Sequence, residues 1–155
     1  MSFIVTGLPV EPFQPLFGLD DDALAARGVI RRTVGAGDRC PCRITLEDAP
    51  LGQSVLLLTY EHQSADSPYR SSYAIYVSEG AAASRRLEDE LPGVFRGRPL
   101  ALRAFDEGGL LVGAEITDFD GVRGAIERRF ADPQAAYLHV HNAVPGCYSA
   151  RIDRA

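Results

Sequence analysis

Lysine is missing from this sequence, so all 16 basic residues are arginine. That excludes Schiff-base lysines, lysine general bases and the phosphate-cradling Gly-Lys-Ser/Thr loop. Long apolar runs are also missing. Runs such as Val55 to Leu58 in the body of the chain fall far short of the roughly 20 residues a bilayer-crossing helix needs. Met1 to Leu8 lacks the positive flank and apolar length of a secretion signal. There is no basic excess: the net charge is −5, which argues against broad nucleic-acid binding, because phosphate neutralisation needs clustered cations. Cysteines are few and odd in number, three, which speaks against a disulfide framework and for a reducing cytoplasm. Gly-x-Ser-x-Gly and His-Glu-x-x-His are both absent, and Gly35-x-Gly37 runs into Cys40-Pro41, where a dinucleotide loop would open a helix. The reading is a cytoplasmic protein with no membrane or nucleic-acid partner.

What is present suits one globular domain spanning 1–155. The chain is 46% hydrophobic and 24% charged, and a chain of this length buries roughly 70% of the surface its unfolded form exposes. Alternating and β-branched patterning predicts strands at Phe3 to Leu8, Val29 to Val34, Arg43 to Leu46, Ser54 to Tyr60, Tyr73 to Val77, Ala136 to His141 and Tyr148 to Ile152. Ser54 to Tyr60 has an unbroken apolar centre and reads as a central strand covered on both faces. Leu100 to Phe105 and Leu110 to Thr117 flank a turn-forming Asp-Glu-Gly-Gly and read as a hairpin. Asp20 is a good N-cap for a short helix ended by Gly28, Arg85 to Leu91 reads as a short helix ended by Pro92-Gly93, and Asp118 to Ala131 carries Phe119, Val122, Ile126 and Phe130 at helical spacing. The expectation is an α+β domain: a mainly antiparallel β-sheet with two or three short helices.

Chemistry-bearing residues gather in a few segments. In Cys40-Pro41-Cys42 the proline favours extended geometry, so the two thiols can share a face, and Arg39 and Arg43 beside them favour thiolate. The other reading is that both are small core hydrophobes. His139-Val140-His141 on a strand projects both imidazoles to one side. Cys40, Cys42, His139 and His141 would make a two-sulfur, two-nitrogen set suited to tetrahedral zinc, with His62 and Cys147 as spare ligands. Tyr60-Glu61-His62 at a strand end supplies hydroxyl, acid and base, and Tyr69 and Arg70 follow in a loop that could clamp an anion, unless Arg70 pairs with Glu61 or Asp66.

Arg-Cys-Pro-Cys-Arg at 39–43, Leu-Glu-Asp-Ala-Pro at 46–50, Tyr-Glu-His-Gln at 60–63, Ser-Pro-Tyr-Arg-Ser-Ser at 67–72 and His-Val-His-Asn-Ala at 139–143 with Gly-Cys-Tyr at 146–148 together resemble the bacterial domain-of-unknown-function family 1203, from Phe3 to Arg154. The resemblance implies a single domain in the cytoplasm and no activity. Two readings follow from the residues. One is an enzyme or sensor with a pocket for a small anionic molecule, with zinc as the candidate cofactor. In it Cys40, Cys42, His62, His139 and His141 carry the chemistry, and Arg43, Tyr69, Arg70, Asn142 and Tyr148 bind the ligand. The other is a non-catalytic module in which the same groups order long loops and a sheet edge mediates self-association into a homo-oligomer.

Overall fold

The computed structural model describes residues 1–155. Nine strands and two helices build it: β1 (Phe3–Thr6), α1 (Asp21–Ala25), β2 (Ile30–Thr33), β3 (Ser54–Gln63), β4 (Ser71–Ser78), β5 (Arg86–Glu88), β6 (Leu100–Phe105), β7 (Leu111–Thr117), α2 (Val122–Phe130), β8 (Tyr137–Asn142) and β9 (Tyr148–Arg154). The strands form two sheets, one ordered β5-β1-β9-β8-β6-β7 and one ordered β2-β3-β4. All strand pairings are antiparallel. The fold is α+β, with two sheets where the sequence suggested one. No helix is long and apolar enough to cross a membrane.

Period-two alternation divides the larger sheet. Leu102 and Ala104 of β6, Leu138 and Val140 of β8, and Ala150 and Ile152 of β9 point to one side, where Val122, Ala125, Ile126 and Phe130 of α2 complete an apolar core. Val122, Ile126 and Phe130 on that helix face each contribute about 1.5–3 kcal/mol by burial. A second apolar core joins Leu56 of β3 and Ile75 and Val77 of β4 to Leu8, Phe13, Leu24, Ile44 and Tyr148.

Local chemistry accounts for most boundaries. Asp20 accepts the Ala23 amide at 2.7 Å and so caps α1, and Gly28 at φ +71 ends that turn of chain. Asp106 accepts the amides of Gly108 and Leu110, both at 2.9 Å, which closes the β6–β7 turn.

Three expectations are corrected. Arg43 to Leu46 is a turn closed by the Leu46 amide on the Cys42 carbonyl, with Leu46 at φ 57, a conformation no strand contains. Arg85 to Leu91 is not helical; β5 pairs with β1 at the sheet edge, with Leu87 inward between exposed Arg86 and Glu88, so a period of two prevails. Finally, β3 is the middle strand of its sheet and is covered on both faces only at Val55 and Leu56; Thr59 and Glu61 are exposed, and the strand runs on to Gln63, which carries His62 into the sheet.

Candidate metal centre

The side of the larger sheet away from α2 carries different residues. His139 and His141 project there from β8. Arg103 of β6 and Arg151 of β9 lie directly opposite His139, and Ala101 lies opposite His141, so these side chains share the face. His62 reaches it from the smaller sheet. In β3 Glu61 pairs with Ser72 and Gln63 with Ser71, which leaves His62 as the extra residue of a β-bulge. A bulge re-aims side chains. Here both His62 and Gln63 turn inward, and the Gln63 amide donates to the Tyr137 hydroxyl at 3.1 Å.

The three histidines converge. One ring nitrogen from each of His62, His139 and His141 lies within 4.8 Å of the others. Nitrogens around a tetrahedral ion at about 2.0–2.1 Å stand roughly 3.3 Å apart, so binding one requires the three rings to draw closer. The His62 and His141 rings meet edge to face at 5.0 Å, and Tyr148 stacks on His62 at 5.6 Å with 10° between the planes.

The environment keeps all three rings neutral. Burial lowers the pKa of His139 to about 3, with the neighbouring His141, Arg151, His62 and Arg103 adding to it. Burial likewise brings His141 to about 4, against a carbonyl contact that favours its charged form, and it lowers His62, with Arg103 reinforcing the shift. Neutral imidazole is the form that binds metal. His141 Nδ1 stands 3.0 Å from the Gly146 carbonyl, which can only accept, so Nδ1 carries the proton and Nε2 presents its lone pair. His62 Nδ1 and His139 Nδ1 are buried without a hydrogen-bond partner. An unsatisfied buried polar atom costs about 1–3 kcal/mol. Arg103, also partly buried, forms no ion pair, whereas Arg151 is neutralised by Asp153 at 2.8 Å.

The remaining residues singled out from sequence lie elsewhere. Cys40 packs with Val34, Ala49 and Val55, while Cys42 is fully buried in the core around Leu56 and Ile75, so the two thiols occupy different apolar clusters instead of one face. Burial pushes the Cys42 thiol up, but its Sγ accepts the amides of Ser78 at 3.2 Å and Thr45 at 3.5 Å, and together these hydrogen bonds leave its pKa lowered. Burial raises the pKa of Cys40. Arg70 is exposed and pairs with Glu61 at 3.1 Å, and Tyr69 packs edge-on against Phe105 at the rim of the histidine cluster. Arg43, Asn142 and Cys147 line a separate cavity. Arg103 was not singled out from the sequence; its only signal, an arginine at an alternate position of an apolar strand, acquires meaning from the register with His139.

A two-sheet antiparallel α+β domain enclosing three neutral imidazoles is the class that the geometry defines. The chain belongs to the family described as "Protein of unknown function (DUF1203)", whose model matches residues 39–154. The match opens at Arg39, so β1, α1 and β2 lie ahead of it, although β1 sits inside the larger sheet. No curated protein and no solved structure matches the chain.

Proposed function

We propose that this protein holds one divalent transition-metal ion, zinc by preference, on His62, His139 and His141, and acts through it on a small anionic molecule as an enzyme or sensor. The observation that carries this reading is the meeting of three neutral imidazoles from two sheets, two of them with a buried Nδ1 that no protein group satisfies. Three imidazoles suit zinc and leave a fourth coordination position for water or a ligand oxygen. A metal there would supply Lewis acidity. The protein's own residues do the rest: His141 is held in register by the Gly146 carbonyl, Tyr148 fixes the His62 ring, and Arg103 offers an unneutralised guanidinium beside the cluster for an anion. Cys40 and Cys42 have no part in this proposal, because their sulfurs belong to separate apolar clusters.

A second reading, an interaction module whose polar residues order loops, is favoured by one observation. Several arginines bind backbone carbonyls of distant segments: Arg39 those of Arg96 and Gly97, and Arg154 those of Phe130 and Ala135. Metal analysis of untagged protein separates the two. After metal removal and reloading with zinc or cobalt(II), the expected content is one ion per chain, falling below a tenth in His62→Ala and His141→Ala with the circular dichroism spectrum retained. Equal metal content in wild type and both variants, or none in any of them, refutes the metal reading.

A further inference from the structure

A cavity of about 490 Å³, lined by neither His62, His139 nor His141, lies on the other side of the Asn142–Cys147 turn. Its volume falls in the range of small-molecule sites. Three guanidiniums, Arg39, Arg43 and Arg98, line it and no carboxylate does, although the chain as a whole carries a net charge of −5. Asp48 neutralises Arg98 at 2.5 Å. Arg39 has only backbone carbonyl partners, while Arg43 has two backbone carbonyls and the Cys147 side chain against it, and neither has a carboxylate.

Arg43 is the unusual member. It is only 2% exposed, and its Nε donates to the Tyr148 carbonyl at 2.8 Å and its Nη1 to the Pro41 carbonyl at 2.6 Å. Two carbonyls and the Cys147 side chain orient this guanidinium with no carboxylate to pair it, and a buried charge without a carboxylate or phosphate partner is costly. Beside it Asn142, 5% exposed, donates its side-chain amide to Cys147 Sγ at 3.4 Å, while its Oδ1 is buried without a partner. Apolar side chains line its exposed part beside Arg39: Tyr73 and Val144 are 50% and 82% exposed.

We infer that this cavity binds a small organic anion, a carboxylate or phosphate head group seated at Arg43 with Arg39 at the entrance, and an apolar body lying between Tyr73 and Val144. The head group supplies the missing counter-charge, and the apolar walls cover an uncharged body that water solvates poorly. The site does not depend on the metal reading, and the test keeps them apart.

Benzoate and phenyl phosphate are titrated into chelator-treated wild type and into His139→Ala, with benzamide as the uncharged control, and the Arg43 Nε–H and Asn142 side-chain amide signals are followed by nuclear magnetic resonance. The expected result is saturable shifts at both positions with at least one anion, none with benzamide, and the same behaviour in His139→Ala. Arg39→Ala, which leaves the buried groups in place, should weaken binding about three- to tenfold. The proposal is overturned by shifts that benzamide matches, by shifts confined to exposed arginines, or by anion titrations that leave both signals unmoved.

Discussion

The two faces of the larger sheet are built by the same strands and are physically opposite. Toward α2, Leu138, Val140, Leu102 and Ile152 pack dry; away from it, one residue along each strand, His139, Arg103 and Arg151 bring polarity under the smaller sheet. Burial alone does not separate them, because His139 and His141 are as inaccessible as much of the core, at 4% and 1% exposed. The difference lies in satisfaction. The dry face has nothing left to bond, whereas the histidine face retains unpartnered nitrogens and an unneutralised guanidinium. A side that tolerates such costs is shaped for more than cohesion.

Acid should break the comparison most. The folded chain holds His139 and His141 neutral down to about 3 and 4, while the unfolded chain takes up protons near the ordinary 6.5. Protons therefore bind the unfolded state first. Stability is fully present above about pH 7 and falls as pH drops through 6.5 towards 4, by about 1.4 kcal/mol per histidine per pH unit at the steepest. Denaturant melts across this range should show the loss, saturating zinc should move it to lower pH, and His139→Gln should flatten it.

On the dry face, Leu138→Ala should cost about 3 kcal/mol in a urea melt, through lost transfer energy and a residual cavity, with metal stoichiometry unchanged. The reciprocal change is His139→Phe. It keeps ring packing against Phe105, Tyr137 and Tyr148 and removes an unsatisfied nitrogen. At pH 8 its stability should stay within about 1 kcal/mol of wild type, while bound metal disappears on elemental analysis. The smallest effect belongs to the surface. Arg70→Ala removes an exposed pair with Glu61 and should shift stability by less than about 0.5 kcal/mol in a urea melt; a larger loss would show that Arg70 holds the loop through more than that pair.

Particular residues show where the sequence was legible. The β6–β7 hairpin, the Asp20 cap and the body of α2 with Val122, Ile126 and Phe130 follow from local rules, although α2 begins at Val122 and leaves Asp118 and Phe119 outside the helix. Arg85 to Leu91 misled because three residues of alternation are too few to distinguish periods, and pairing with β1 decided. His139 and His141 were visible as a pair because strand geometry alone puts them on one side. His62 stood out at a strand end as a chemistry-bearing residue and spare ligand, but its place inside the sheet did not, since a bulge has no signature in a stretch that otherwise reads as strand. Cys40 and Cys42 drew attention by their chemistry, yet each is surrounded by apolar neighbours supplied by segments far along the chain.

By itself the sequence determined the α+β class, the alternation that splits β8 between core and polar face, and the residue types available for chemistry, because periodicity, capping and turn preferences act over a few residues. Only the tertiary structure decided which of those types meet. The His62 bulge sets one sheet's imidazole over two from the other, and the register between β6 and β8 puts Arg103 beside them, because long-range contacts depend on how sheets stack and strands align.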